Sequence, residues 1–230
     1  WAEANFKKII LHKVKRQKDA ELIEHLEGIK YGRLADLEWF INNAPPFAPA
    51  KPIYICSTRK CVDEFNNTAL SDFEDLHTYN AAYEGLLPTE LPCPEVIKLA
   101  VGARVMTISN SKNYKNGNIG TVKALSEDKV IVKLDNGKTV TVRQKAFELD
   151  NGTKYRQFPL IIAYAITVHK SQGSTFNNVV MVCDSFFESG MLYTALSRCT
   201  AIDNLMFLGR LQEQDLKIDI EALKMTVYDN

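Results

Sequence analysis

The 230-residue chain lacks a glycine-rich phosphate cradle of the form G-x-x-x-x-G-K-[ST]. Its one Gly-Lys-Thr, Gly137-Lys138-Thr139, has Val132 where the motif's first glycine belongs, and an Asn-Gly turn between two strand-like runs reads as a hairpin. Charge excess is also missing: 28 basic and 28 acidic side chains give a formal net charge of zero, which argues against binding that depends on bulk charge but leaves room for a local groove. No apolar run is long enough to span a bilayer and no secretory pattern opens the chain, so a soluble protein with no membrane partner is expected. Cysteine is sparse and unpaired. Cys56, Cys61, Cys93, Cys183 and Cys199 are odd in number and form no C-x-x-C, which excludes a disulfide framework or thiolate metal site and reads as reduced core thiols of a cytosolic or nuclear protein. His12, His25 and His77 have no metal-ligand spacing, so no metal site is expected. Asp63-Glu64 opens an amphipathic helix rather than closing an apolar strand, and reads as a pair of solvated helix-start acids.

Two polar runs stand out against this background. Thr167-Val168-His169-Lys170-Ser171-Gln172-Gly173-Ser174-Thr175-Phe176 follows an apolar stretch, Leu160 to Ile166, that reads as one buried strand. A turn there sits where open α/β sheets bind their ligands. Gly173 admits a close backbone approach, and neighbouring N–H groups in such a turn can face an anion. The second run, Tyr193-Thr194-Ala195-Leu196-Ser197-Arg198, has Leu192, Ala195 and Leu196 at helical spacing, which would mount the Arg198 guanidinium on a rigid element. Its planar fork suits phosphate oxygens; the plainer alternative is a pair with a surface carboxylate.

Helices are predicted over Asp19 to Tyr31, Leu34 to Asn42 and Asp63 to Leu70, with a proline-rich connection, Ala44 to Pro49, before a strand at Ile53 to Cys56. Leu76 to Tyr83 is read as extended and Leu87 to Pro94 as a proline-interrupted passage. From Gly102 the texture changes to short strands at Ala103 to Ser109, Gly120 to Ser126, Lys129 to Leu134 and Thr139 to Arg143, which suggest a small antiparallel β-barrel of the Src-homology-3 type. After Phe158 the α/β texture returns, with parallel strands at Val179 to Cys183 and Leu205 to Leu208 and a helix from Met191 to Arg198 between them. The expected organisation is one α/β domain, residues 1–100 and 158–230, interrupted by a β module over 101–157.

These residues resemble the C-terminal half of a superfamily 1, class B DNA helicase, the group containing RecD and the PIF (petite integration frequency) helicases. His169 to Phe176 resembles that group's motif V, and Tyr193 to Thr200 resembles motif VI. Leu11 to Asp19 resembles motif IV, while Ile53 to Arg59 leading into Cys61 to Asn66 resembles the strand-turn-helix of the second RecA-like domain that touches single-stranded DNA. Val101 to Met106 and Asn116 to Val122 look like the small barrel inserted into that domain. The resemblance implies a RecA-like second motor domain of an ATP-dependent 5′ to 3′ helicase. It implies Arg16 and Arg198 as arginines reaching ATP, and Gln17, Gln172 and Gly173 on the nucleotide side. Thr58, Thr167, His169, Lys170, Tyr114 and Lys115 are the implied DNA contacts. ATP and Mg2+ would be held mainly by an N-terminal RecA-like domain of the same parent chain, so these residues alone are not expected to turn over ATP. The implied partner is single-stranded DNA, and the implied state a monomer, cytoplasmic in a bacterium or phage and nuclear or mitochondrial in a eukaryote. Tyr54, Phe65, Phe73, Tyr79 and Tyr83 are either core or base-stacking platforms. Two other functions fit the sequence: a non-catalytic nucleic-acid adaptor, and the helicase half of a conjugative relaxase.

Overall fold

The computed structural model of the chain describes Arg16, Gln17, residues 19–221 and Leu223. His12, and the motif IV resemblance apart from Arg16, Gln17 and Asp19, lie outside the described residues. Two helices come first, α1 (Ala20–Lys30) and α2 (Leu34–Asn43). The Asp19 carboxylate caps α1 by accepting from the Glu21 and Leu22 N–H groups, which supplies acceptors that the first turn otherwise lacks. Strand β1 (Ile53–Cys56) then leads into α3 (Arg59–Ser71), which begins four residues before the predicted start because the Thr58 hydroxyl caps it, accepting from Cys61 N at 3.3 Å. Asp63 and Glu64 lie exposed on α3, as solvated acids should.

The extended passage is two strands, β2 (His77–Asn80) and β3 (Ala82–Glu84), and β4 (Val96–Leu99) pairs with β2. Next come β5 (Arg104–Thr107), β6 (Ile119–Leu125), β7 (Lys129–Leu134) and β8 (Thr139–Arg143). Gly137, with φ +87, turns the chain from β7 into β8, so the Gly-Lys-Thr is a hairpin corner. Strands β9 (Lys145–Glu148) and β10 (Lys154–Gln157) add a small sheet in the order β3-β10-β9.

The expected strand over Leu160 to Ile166 is two strands, and this corrects the sequence reading. Strand β11 (Leu160–Ile162) joins β5 at the edge of a five-stranded antiparallel sheet ordered β11-β5-β6-β7-β8, whereas β12 (Ala165–Thr167) joins a parallel sheet ordered β12-β1-β13-β14. The break is held by the buried Asn66 side chain. Its Oδ1 accepts from Tyr164 N at 3.1 Å and Ala165 N at 2.9 Å, and its Nδ2 donates to Ala165 O at 3.0 Å. Unpaired backbone groups between two sheets are costly, and a single amide satisfies both polarities.

The remaining elements are α4 (Val168–Ser171), β13 (Val179–Cys183), α5 (Met191–Leu196) and β14 (Leu205–Gly209). One face of the parallel sheet, through Ile53, Ile55, Ile166, Val179 and Met181, packs with α1, α2 and α5; the other, through Cys56, Ala165 and Val182, packs with α3. A separate apolar cluster built on Val105, Val122, Val130, Val132, Val140 and Val142 fills the antiparallel sheet. Among the described residues no helix is long and apolar enough to cross a membrane.

Candidate nucleotide and nucleic-acid site

Arg16, Gln17, the 171–175 turn and the 197–199 segment meet in one place. Phe176 and Cys199 form an isolated parallel bridge, with Phe176 N donating to Arg198 O at 2.9 Å, and this fixes the first polar run beside the second. Gln17 Nε2 donates to Ser197 O at 2.9 Å and Cys199 O at 3.0 Å. Arg16 Nε donates to Thr175 Oγ1 at 3.1 Å and its Nη1 to Ser197 O at 3.3 Å. Residues about 180 positions apart in sequence thus form one cluster.

Arg198 is only 7% exposed. Its Nε donates to Thr194 O at 2.8 Å, Nη1 to Ser174 O at 3.3 Å and Nη2 to the Ser197 hydroxyl at 2.7 Å. Those three bonds use three of five N–H donors, and no carboxylate pairs with Arg198 or Arg16 among the described residues. Among the described residues the surface-carboxylate alternative has no support. Burial, reinforced by the nearby Arg16 charge, lowers the Arg198 pKa to about 10. A desolvated cation beside a second cation with no counter-ion is an electrostatic deficit that a bound anion removes. The helix expected to carry Arg198 ends at Leu196, and the bridge to Phe176 anchors the residue instead.

Gln172 and Gly173 are exposed at the tip of the turn, and Gly173 takes φ +79, a conformation open to glycine at little cost. Thr167 ends β12 and caps α4, its hydroxyl accepting from Lys170 N at 3.1 Å. Thr58 lies at the corresponding end of β1, since Cys56 and Thr167 are register partners. These are the carboxyl ends of parallel strands, the edge at which open α/β sheets place ligands. His169 and Lys170 are exposed there, with His169 Nε2 2.9 Å from Glu188 Oε2.

Sequence reasoning missed Asp184, which follows β13 at the same edge. Ser57 Oγ donates to its Oδ1 at 2.5 Å and Thr58 Oγ1 to its Oδ2 at 3.3 Å, so the Thr58 hydroxyl is already engaged at both ends. A lone acid after an apolar strand was the available signal. Tyr114 requires a correction: it is 8% exposed and belongs to the apolar cluster of the antiparallel sheet, whereas Lys115 beside it is exposed. Of the aromatic candidates, Tyr54 and Phe65 stack on each other at 4.5 Å, Phe73 and Tyr79 pack against that same cluster, and Tyr83 is exposed. His25 is structural, bonded to Asp36 and stacked on Trp39, and His77 is exposed on β2. The described residues contain no cluster of three or more His, Cys, Asp or Glu able to hold a metal.

Residues 162–201, which contain both polar runs, match the UvrD-like helicase C-terminal domain. The ATP-dependent DNA helicase Pif1 of Bdellovibrio bacteriovorus is 26% identical over 226 residues, covering 91% of this chain and 52% of that protein. Mouse PIF1 is 29% identical, covering 86% of this chain and 34% of that protein. Unliganded Pif1 from Bacteroides sp. superposes with a TM-score of 0.79 at 28% identity, over 93% of this chain and 55% of that one. A Pif1 structure solved for DNA unwinding at forked duplexes by two coordinating helicases gives 0.75 at 31% identity, with 93% and 52% covered. The chain spans about half the length of the bacterial relatives it matches. By sequence and by its α/β fold, the chain is similar to the C-terminal, RecA-like part of the Pif1 helicases.

Proposed function

We propose that this chain is the C-terminal motor half of an ATP-dependent 5′ to 3′ DNA helicase, supplying arginines to a nucleotide held mainly by an N-terminal RecA-like domain of the same parent. The observation that carries this reading is the convergence of Arg16 and Arg198 at Ser197 with no carboxylate partner among the described residues. Bound ATP supplies a phosphoryl group whose transfer spreads negative charge over its oxygens. Arg198, with two N–H donors left over, and the more exposed Arg16 stabilise that charge, while Gln17 locks the backbone between them and Gln172 and Gly173 line the approach. Magnesium is assigned to the N-terminal half of the parent together with the nucleotide.

Single-stranded DNA is assigned to the strand-end edge, with His169, Lys170 and Lys115 as direct contacts. Thr58 and Thr167 act there by capping the helices that start at that edge. Relatives described as bound to single-stranded DNA, or to ADP–AlF4, support both ligands. Because the 167–176 run touches both sites, cleft closure around nucleotide would shift the DNA grip, so differential contact in two states converts hydrolysis into movement. We read residues 1–100 and 158–230 as the motor domain, working as a monomer, and 101–157 as an inserted small barrel of the Src-homology-3 type. The support for that module is the antiparallel meander of β5 to β8 and the apolar cluster that fills it, to which Leu70, Ile97, Leu99, Phe158 and Leu160 from the flanking segments also contribute.

The test uses the full-length protein. Arg198→Ala should bind ATP with near-normal affinity and lose DNA-stimulated hydrolysis by about 10³-fold or more. Normal turnover in that variant overturns the assignment.

A further inference from the structure

The antiparallel module shares Met106 and Ile119 with the core that holds Phe176 and Cys199, and its Gly117 lies beside Ser174 of the nucleotide cluster. Between β5 and β6 its long loop, residues 108–118, is tied down internally. The Ser111 hydroxyl accepts from Asn113 N and Tyr114 N, Asn118 Oδ1 accepts from Lys115 N, and the buried Thr107 hydroxyl donates to Lys115 O at 2.6 Å. Tyr114 anchors the loop in the module's apolar cluster. Where the loop returns to the sheet, Gly117, whose N–H donates to Thr107 O at 2.8 Å, takes φ +84 and lies against Ser174: a β-carbon placed there would sit 2.4 Å from Ser174 Oγ and 3.6 Å from Ser174 Cβ. Beside this contact a cleft of about 540 Å³, lined by Arg104, Asn118, Thr175 and Asn178 among others, separates module from parallel sheet. The carbonyl of the same Ser174 accepts from Arg198 Nη1 at 3.3 Å.

We infer that the loop of the inserted module is a brace for the arginine: Gly117 bears on Ser174, and Ser174 holds the Arg198 fork in its hydrolysis-competent orientation. Gly117 and Ser174 are thus positioning residues that act through Arg198, and the inference rests on the nucleotide role proposed above. A side chain at position 117 would occupy the volume of the Ser174 hydroxyl, so glycine lets the two segments approach this closely. Orientation of a charged group by a few tenths of an ångström governs how well it stabilises developing charge, so a loosened brace should slow the chemical step and leave nucleotide affinity alone.

The experiment measures DNA-stimulated ATPase of the full-length protein as kcat and as KM for ATP. Tyr114→Ala frees the loop by removing its anchor, and Ser111→Ala/Asn118→Ala frees it without removing any apolar volume. Each should lower kcat about tenfold at unchanged KM. A 3.6 Å Cβ separation suits a disulfide, whose Cβ atoms stand about 3.5–4.5 Å apart, so Gly117→Cys/Ser174→Cys can replace the brace by a bond. Diamide takes two electrons and two protons from the thiols to give the S–S bond and its hydrazine; a thiol reductant reverses the change. In the loosened backgrounds, oxidation should restore kcat to within about threefold of the unmodified protein, and reduction should abolish the rescue. If Tyr114→Ala does not fold, the double alanine variant decides. Normal kcat in a folded, loosened variant overturns the brace, as does depressed kcat after complete cross-linking. Arg198→Ala separates the two ideas: its inactivity beside a fully active loosened variant removes the brace alone, and its normal turnover removes the nucleotide role itself.

Discussion

Gly28→Ala is expected to destabilise the fold even though it replaces glycine by the best helix former in the last turn of α1. Helix propensity alone favours the change by about 1 kcal/mol. Against this, a β-carbon at position 28 would lie 1.8 Å from Oδ2 and 2.1 Å from Cγ of Asp36, far inside contact distance. Asp36 is 5% exposed and cannot swing aside freely, because its Oδ1 lies 2.7 Å from His25 Nδ1 and its Oδ2 2.8 Å from Arg33 Nε. Breaking a buried ion pair costs about 3–5 kcal/mol, and half-exposed Arg33 brings this nearer the lower end. The balance is a net loss of about 2 kcal/mol, or roughly 4–8 °C in Tm for a chain of this size. Urea and thermal unfolding followed by circular dichroism, with Trp39 fluorescence reporting the stack on His25, give the measurement. On an Asp36→Gly background no side chain is left at position 36 to collide with the new β-carbon, and Gly28→Ala should then cease to destabilise. A neutral or stabilising Gly28→Ala in the unmodified chain would refute the reasoning.

Other expectations follow from the same contacts. Asn66→Leu strands the Tyr164 and Ala165 N–H groups between two sheets and should cost about 3 kcal/mol, seen as a lower urea midpoint; an unchanged midpoint would mean that the strand break holds itself. Thr167→Ala removes the cap of α4 and should weaken oligothymidine binding several-fold, with about 1 kcal/mol lost from stability. All five thiols are pushed up by burial, Cys93 and Cys183 to about 12, so iodoacetamide at pH 8 should label the native protein far more slowly than the unfolded chain. The folded state keeps protons that an unfolded thiol releases near its ordinary value of 9.0, so this contribution to stability is whole below that pH and is lost as pH rises toward 12. Alkaline titration of the urea midpoint checks the sign, and a midpoint that rises above pH 9 contradicts it.

Local chemistry settled much in advance. The helices of Ala20–Lys30 and Leu34–Asn43 follow from 3.6-residue apolar spacing, the hairpin at Asn136-Gly137 from turn preference, and the parallel strands at 179 and 205 from short β-branched runs. His169 to Phe176 and Tyr193 to Arg198 pointed to phosphate and nucleic acid because their side chains are anion donors next to apolar strands. Tertiary structure decided what periodicity does not encode. Leu160 to Ile166 reads as one apolar strand because nothing in its own side chains marks a break; the break comes from Asn66, about a hundred positions away. Tyr114 has loop text on both sides, and only the packing of the antiparallel sheet makes it core. Asp184 is an ordinary acid until folding sets it against Ser57 and Thr58. The two cationic forks illustrate the division: composition supplied arginines at 16 and 198, but their closeness, and the burial that lowers the Arg198 pKa, exist only once Phe176 and Cys199 bridge, because electrostatic energy depends on distance and burial rather than on order along the chain.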